Sequence, residues 1–438
     1  MSRRRSRPLP VEEFTADIAD LTDTGAGVAR IDGRVVFVAG ALPGERVRFR
    51  ITRMRRGTRD AVVTAVEQPA PDRVVPRCPH FDICGGCALQ HLDARRQIEF
   101  KQKQLLDALQ RIGGVVSEVV APPLVGPVWA YRRRARLGVR WVHKKNRLLV
   151  GFRERATPKL ALLSRCEVLD ARVGTQLEAL GELIAGLSIR EQLPQIEVAA
   201  AETVALVLRV MQAPTPEDCD RLRAFAAREG FVFYLQPGGP DSVVPLDPPA
   251  PELTYSPDGS ALTLRFEPLD FVQVNLALSQ QMVRQALEWL ALRAGEQVLE
   301  LFCGLGNFSL PLAAQGVRLT AVEGDAALVE RARANAARNG LDVHFLKADL
   351  FQPDAHAPWL AAPCDAVLLD PPRAGAQEIL PFVAKLAPQR ILYVSCHPGT
   401  LARDAGLLAA LGYRLVRAGV MDMFPHTAHV ESMALFER

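Results

Sequence analysis

The 438-residue chain reads as an α/β protein: a doubly wound parallel sheet in its C-terminal part, preceded by a small β-barrel and a mixed α+β segment. Three observations predict this. From about residue 268 onward, strand-like and helix-like runs alternate, as in a parallel sheet covered by helices on both faces. Residues 12–67 alternate β-rich runs with the turn signals TGAG, DG and LPGE, the mark of short antiparallel strands. Between these regions, CPHFDICGGC (78–87) gathers three of the eight cysteines. At roughly 100–200 residues per domain, the length suits two or three domains.

Composition narrows the function classes. Hydrophobic residues make up 49% of the chain, yet no apolar run approaches the roughly 18 residues that span a bilayer, which excludes a membrane partner or a helical membrane protein. MSRRRSRPLP is basic with no apolar segment behind it, so residues 1–11 read as a basic disordered tail rather than a secretory signal. A cytoplasmic protein is expected, and there clustered cysteines indicate metal or catalysis rather than disulfides. The net charge of +4 conceals an asymmetry: residues 1–155 hold 30 Lys+Arg against 16 Asp+Glu, the remainder 23 against 33. The front third suits a polyanion, with phosphate contacts expected from the seven arginines between Arg46 and Arg59 and from YRRRARLGVRWVHKKNR (131–147).

In chain order, the barrel comes first. In ERVRFRI the two-residue side-chain period sends Val47, Phe49 and Ile51 to one face and Arg46, Arg48 and Arg50 to the other. The glycine positions and VVFVAGALPGE resemble a TRAM domain, an OB-like RNA-binding module, over 12–69. QPAPDRVVPR (68–77), with three prolines, reads as a linker. Within the central domain, 75–265, Asp93 is a candidate N-cap, and Ile98, Leu105, Leu109 and Ile112 keep helical spacing up to Gly113-Gly114.

The C-terminal domain, 268–438, carries the chemistry. EQVLELFCGLGNFSLPLAAQG reads as a strand, a turn through Gly304 and Gly306, and a helix whose N-terminus admits a ligand to the backbone. A dinucleotide loop would have a third glycine where Ser309 stands. The next strand ends in Glu323, suited to ribose hydroxyls, and the following one in Asp349, suited to an adenine edge. Loop and acids together look like the S-adenosylmethionine site of a class I SAM-dependent (Rossmann-like) methyltransferase. CDAVLLDPPRAG sets Asp370 at another strand end, followed by Arg373 where an amino-group methyltransferase would carry a stacking aromatic residue. RILYVSCHPGT ends the next strand in Cys396.

That cysteine fits one problem. Carbon 5 of uracil is too weak a nucleophile to accept a methyl group directly; a thiolate adding to carbon 6 makes it an enolate carbon. A base must then remove the carbon 5 proton before the thiolate leaves. Cys396 would supply the thiolate, if its surroundings lower its pKa, and Glu431 in DMFPHTAHVESMALFE would be the base, with His426 and His429 as other candidates.

FVQVN, ELFCGLGNFSLPLA, VEGDAALVERARANA, DPPRAG, YVSCHPGTLARD and DMFPHTAHVES closely resemble the RNA uracil-C5 methyltransferases along nearly the whole chain. The resemblance implies contacts with S-adenosylmethionine or the target base from Gln273, Phe302, Asn307, Glu323, Asp349 and Asp370, with Cys396 as nucleophile and Glu431 as base. Arg373 and Asp370 would orient the base. His397 and Pro372 depart from the usual asparagine and alanine, which bears on substrate preference rather than chemistry. Cys78-x5-Cys84-x2-Cys87 offers three thiolates, and Cys166 is the candidate fourth ligand. The residues alone leave iron–sulfur and zinc open, the latter completed by His80 or His91; the resemblance implies a [4Fe–4S] cluster. Cys219, Cys303 and Cys364 read as packing residues. Barrel and cysteine cluster together resemble the branch acting on 23S ribosomal RNA, for which a monomer is expected, with the helix of 93–114 packed on the catalytic domain. Two alternatives stay open beside this reading. One is another RNA (tRNA or rRNA) pyrimidine-C5 methyltransferase, although the cytosine enzymes carry a cysteine in the segment matching DPPRAG and none is here. The other is a non-catalytic RNA-binding protein, although Cys396, Glu431 and the glycine loop are all intact.

Overall fold

The computed structural model describes residues 12–438 apart from 55–56, 156 and 362, so the expected N-terminal tail lies outside the described residues. Two compact units are formed, one running to Lys101 and including Pro425–His429, the other comprising Gln102–Phe424 and Val430–Arg438.

The first unit holds β1 (Glu13–Asp17), β2 (Asp20–Leu21), β3 (Gly27–Ile31), β4 (Arg34–Ala39), β5 (Arg46–Met54) and β6 (Thr58–Gln68), joined in the order β1-β5-β6-β4-β3-β2. The alternation read in β5 is realised: Val47, Phe49 and Ile51 are buried and Arg46, Arg48 and Arg50 face outward. Register then changes the meaning of that outward face. Pairing with β1 sets Asp17 opposite Arg46, at 3.1 Å, and brings Glu13 to 3.7 Å from Arg48, while Glu67 approaches both arginines. The face is therefore partly neutralised, with Arg50 and Arg53 exposed on the same strand.

The stretch expected as a linker is instead strapped to the barrel. Ala70 joins Leu42 and Leu92 in a small apolar cluster. Glu45, with no exposed surface, accepts from Arg73 Nε at 2.5 Å and Nη2 at 2.8 Å, and from the N–H groups of Leu42 and Ala70. Burial alone would raise this carboxyl; the Arg73 hydrogen bonds and the two backbone donors outweigh it and hold it below the usual range.

α1 (Ala94–Arg111) crosses from the first unit to the second, capped by Asp93 Oδ1 accepting from Arg95 N–H at 3.0 Å. Leu105 and Leu109 are buried, whereas Ile112 lies beyond the last turn and is exposed. The second unit contains two large sheets. After β7 (Val119–Val120) come β8 (Arg134–Val142) and β9 (Arg147–Gly151), α2 (Ala171–Gly174), α3 (Leu177–Ala185), β10 (Gln195–Ala200), β11 (Val204–Arg209), α4 (Pro216–Glu229), β12 (Phe231–Gln236) and β13 (Val244–Pro245). Their sheet runs β13-β12-β11-β10-β8-β9. Here the front of the basic stretch is turned inward while much of the rest stays exposed. Arg133 is buried, with Nε donating to the Gln273 carbonyl at 2.7 Å and the guanidinium 4.2 Å over the Tyr255 ring; Arg134 donates to the carbonyls of Val198 and Pro268. Arg136 pairs with Glu197 at 2.5 Å. Arg140, Lys144, Arg147 and Arg153 are among the exposed cations of this region.

A hairpin of β14 (Leu253–Tyr255) and β15 (Leu264–Phe266) and the helix α5 (Leu276–Leu290) lead into the second sheet. It is built from β16 (Gln297–Leu301), β17 (Arg318–Glu323), β18 (His344–Lys347), β19 (Ala366–Leu369), β20 (Arg390–Ser395), β21 (Arg414–Met421) and β22 (Glu431–Glu437), with α6 (Ser309–Ala313), α7 (Ala326–Arg338), α8 (Leu380–Lys385) and α9 (Pro398–Ala410) between strands. The order is β18-β17-β16-β19-β20-β22-β21-β7, parallel from β18 to β20, with β22 antiparallel to both its neighbours. β16 pairs with β17 on one side and β19 on the other, so the crossover direction reverses there and a crevice forms at its carboxyl end. Val207 and Tyr234 of the first sheet share an apolar cluster with Phe266, Leu305, Leu310 and Phe345. Among the described residues no helix is long and apolar enough to cross a membrane.

Replacing Arg73 by Met leaves the Glu45 carboxylate buried and unpaired, and should cost about 3 kcal/mol, read as a lower urea midpoint for the unit that contains the barrel. Because Glu45 is held below its ordinary value, its contribution is present above the unfolded carboxylate pKa and lost on acidification. The difference between wild type and R73M should therefore shrink below about pH 4.

Candidate active site

The crevice at the end of β16 is where the expected residues meet. Phe302, Gly304 and Gly306 all take positive φ (64°, 56° and 95°), turning the chain sharply into α6. A Cβ on Gly304 would meet nothing within 4 Å, so the turn faces open space. α6 itself is only five residues long, with Pro311 inside it, so the expected helix N-terminus is reduced to the backbone of the loop.

Glu323, at the end of β17, accepts from Gly304 N–H at 3.0 Å through Oε2 and from the N–H groups of Gly324 and Asp325 at 2.7 and 3.1 Å through Oε1. Its carboxylate is thereby fixed against the glycine turn while its residue remains half-exposed. Asp349, beyond β18, is exposed and caps the following turn, accepting from the N–H groups of Phe351 and Gln352. That turn brings the Phe351 ring to 5.8 Å from Phe302. Asn307 accepts from Tyr255 Oη at 3.1 Å through Oδ1, and its buried Nδ2 has no hydrogen-bond partner among the described residues. The Gln273 carbonyl is held by Arg133, which also carries Tyr255 on its face, so one cation supports both Gln273 and, through Tyr255, Asn307. An orphaned amide donor, an open glycine turn and a fixed carboxylate make a cradle for a ligand bearing acceptors and hydroxyls.

Acids dominate the floor. Glu300, 1% exposed, accepts from Ser309 Oγ at 2.5 Å. Burial, opposed by Ser309 and reinforced by Asp370 and Glu323, pushes it up to about 8. Ser309, read as the absent third glycine, is thus the hydroxyl that satisfies this buried acid. Burial pushes Asp370, at the end of β19, up to about 7. Three carboxyl groups around a site without a lysine or arginine between them suit a cationic ligand, whose charge would return Asp370 to its ionised form.

Cys396 follows the last residue of β20, and antiparallel pairing there sets Ser395 against Ser432. One step further in the same register, Cys396 faces Glu431 at the start of β22. Electrostatics agree: burial raises the Cys396 thiol first, the Glu431 and Asp370 carboxylates add to it, Arg373 opposes, and the result is about 11. The condition of a lowered pKa is not met in the resting site, because burial first, and the Glu431 and Asp370 carboxylates after it, outweigh the exposed Arg373. His397 caps α9, its Nδ1 accepting from Thr400 N–H at 3.3 Å. His426 is committed within the first unit: Gln97 bonds both its ring and its N–H, and its carbonyl accepts from Ala88 and Leu89. Burial pushes Cys303 and Cys364 up as well, the latter to about 12, in keeping with packing roles.

The cysteine segment is a series of tight turns in the first unit. Cys84 N–H donates to the His80 carbonyl at 2.8 Å, Cys78 N–H to Gln90 Oε1 at 3.1 Å, and Gly86 N–H to Cys84 Sγ at 3.3 Å. Cys166 belongs to the second unit. None of the eight cysteines is in a disulfide, and among the described residues no three His, Cys, Asp or Glu side chains are grouped as a metal-ion site. The donor chemistry suits a thiophilic group: three cysteines within ten residues, one sulfur already accepting from backbone.

Beside the residues expected from sequence, this crevice holds Glu300, Phe351, Tyr255 and Arg133, which the sequence did not single out. An acid two residues before Phe302 and an aromatic residue two after Asp349 were the available signals.

A parallel sheet closed by an antiparallel β22, with a glycine turn at its switch point and acids at successive strand ends, defines the SAM-dependent methyltransferase fold. It recurs over most of this chain in the solved structure of Pyrococcus abyssi tRNA (uracil-54, C5)-methyltransferase in complex with S-adenosyl-L-homocysteine. The two are 26% identical, with a TM-score of 0.73 over 96% of this chain and 99% of that one. Residues 93–349 and 360–438 match the family described as tRNA (Uracil-5-)-methyltransferase, and residues 9–64 match the TRAM domain. The chain belongs to that methyltransferase family. Among its curated relatives, the 23S rRNA (uracil(1939)-C(5))-methyltransferase RlmD of Alkalilimnicola ehrlichii is 53% identical over 100% of this chain and 99% of its own length. That of Methylococcus capsulatus is 51% identical over the same shares.

If Glu431 raises the Cys396 thiol, Glu431→Gln should lower its pKa and speed its alkylation by iodoacetamide at pH 8 about three- to tenfold, followed by mass spectrometry of the Cys396 peptide. In wild type the rate should climb with pH toward about 11.

Proposed function

We propose that this chain is a 23S rRNA (uracil-C5)-methyltransferase in which Cys396 is the nucleophile and Glu431 the base. The observation that carries the reading is the β20–β22 register, which sets a thiol beside a carboxylate at the mouth of the crevice. The 23S substrate is supported by relatives about half identical over their full lengths and by the TRAM match at the N-terminus.

S-adenosylmethionine, when bound, supplies an electrophilic methyl group on a sulfonium centre. Gln273, Phe302, Gly304, Gly306, Asn307, Glu323, Asp349 and Asp370 would hold it, Glu323 toward ribose hydroxyls and Asp349 with Phe302 and Phe351 toward the adenine. The target uridine must leave its stack to reach a thiol at a strand end, and Arg373 with Asp370 would orient it. The Cys396 thiolate bonds to carbon 6, the carbon 5–carbon 6 π electrons pass into the C4 enolate, and carbon 5 takes the methyl group as the sulfur–methyl bond of the sulfonium breaks, its electron pair staying on the sulfur of the departing thioether. Glu431 then removes the carbon 5 proton, the double bond re-forms and the sulfur–carbon bond breaks. Since Cys396 rests as a thiol, a cation in the crevice offsets Asp370 and Glu431 and favours the thiolate when cofactor is present.

RNA would be gripped by its phosphates through Arg50 and Arg53 of the barrel and Arg140, Lys144, Arg147 and Arg153 of the central sheet. The working modules are then the barrel, 12–69, the cysteine-bearing domain, 75–265, and the methyltransferase domain, 268–438, in a cytoplasmic monomer. Cys78, Cys84, Cys87 and Cys166 would hold a [4Fe–4S] cluster of structural role, supported by their spacing, the absence of disulfides and the N–H donor on Cys84.

Incubation with S-adenosylmethionine and a 23S fragment carrying 5-fluorouridine should yield a protein–RNA adduct stable on a denaturing gel, since fluorine cannot leave as a proton. Cys396→Ala should abolish it, and Glu431→Gln should accumulate an adduct with unmodified RNA. No adduct from a protein that retains RNA would discard Cys396 as nucleophile. Anaerobically purified protein should contain about four irons per chain, and Cys84→Ser should lose them; zinc in their place would refute the iron assignment.

A further inference from the structure

The loop between β19 and α8 carries Asp370 and Arg373 but has no regular structure of its own to fix it. Its anchor lies on α9, the helix that starts directly after Cys396. Asp404, with no exposed surface, accepts from Tyr393 Oη at 2.6 Å and from Ala376 N–H at 2.8 Å through Oδ2. Its Oδ1 accepts from Arg403 Nε at 2.7 Å, and Arg403 Nη2 reaches the Ala374 carbonyl at 2.9 Å. Gly375 is held between these groups at φ +85°; a Cβ there would come within 2.5 Å of Arg403 Nη2 and 2.6 Å of Asp404 Oδ2. Loop and helix are thus joined on both sides of Gly375, through a carboxylate whose burial is expensive and whose hydrogen bonds are fully used.

We propose that Asp404 is a positioning residue of the methyl-transfer site: by clamping residues 374–376 onto α9, it fixes the spacing between Cys396 and the base-orienting Asp370 and Arg373. The inference rests on the reading of Cys396 as nucleophile. Asp404 touches none of the reacting atoms; it acts through the loop. A displaced orienting group costs rate once RNA is bound, because a misplacement of about 1 Å is worth up to about a hundredfold. Apart from Asp370 itself, the cofactor contacts lie away from this loop, at Gln273, Asn307 and Glu323, so cofactor affinity should change little.

The full chain is compared with Asp404→Asn, which keeps the volume but turns one acceptor into a donor, and with Gly375→Ala, which leaves every charge in place. Three quantities are measured: S-adenosylhomocysteine affinity by calorimetry, iodoacetamide reactivity of Cys396, and adduct formation with 5-fluorouridine RNA across RNA concentrations. The expected result is a saturating adduct rate about tenfold or more lower in both variants, with affinity, thiol reactivity and half-saturating RNA within about twofold. An unchanged rate in a folded D404N or G375A overturns the proposal. So does a fall in all quantities in proportion to folded protein, which marks Asp404 as support for the fold alone. Should D404N fail to fold, G375A decides. Absence of adduct in wild type defeats the nucleophile reading itself, a different failure from wild-type adduct with unimpaired variants.

Discussion

The site depends on one antiparallel strand pair. β20 ends at Ser395 and β22 begins at Glu431, and their ladder makes a thiol and a carboxylate distant in sequence into cross-strand neighbours. Parallel strands of this fold present only their carboxyl ends to the crevice. Reversing β22 lets an amino-terminal residue arrive there as well, so a base is added without lengthening any loop. The same pairing means that any register slip would turn Glu431 to the opposite face.

Around this pair the charge balance is unusual for a resting protein. Burial penalises the Glu300 and Asp370 carboxylates, the Glu323 charge adds to the first, and Glu431 joins Asp370 in acting on Cys396 against Arg373 on an exposed loop. Part of this cost is relieved by protonation: with Glu300 near 8 and Asp370 near 7, the first is mostly and the second about half protonated at neutral pH. Such a site suits a positive ligand, and its thiol rests in the protonated form. Arg133 contributes from outside the cluster, supporting Gln273 directly and Asn307 through Tyr255.

What was legible in the sequence is what strand ends and short turns encode. Gly304, Glu323, Asp349, Asp370 and Cys396 each terminate a hydrophobic run, and the sheet places such termini together whatever their separation in the chain. The Val47, Phe49 and Ile51 face was legible for a similar reason, being local alternation. Illegible features came from partners set by tertiary register. Arg46 and Arg48 looked like a phosphate surface until β1 and β6 brought Asp17, Glu13 and Glu67 beside them. Arg133 and Arg134 looked like surface cations because composition cannot reveal that Gln273, Val198 and Pro268 offer them carbonyls. Asp404, within YVSCHPGTLARD, had nothing to separate it from an ordinary helix acid; its role depends on a tyrosine in the adjacent strand and an amide 28 residues earlier.

The Glu45–Arg73 strap bears on how this chain can be divided. An N-terminal RNA-binding barrel invites treatment as a detachable accessory, to be removed at residue 69 or transplanted to another enzyme. Yet the arginine that neutralises the barrel's buried acid lies beyond that boundary, and the leucine that completes its lower apolar cluster, Leu92, lies further still. Cutting at the apparent junction strands one charge on each side. The portable unit therefore extends past the proline-rich segment and through the cysteine turns to Leu92.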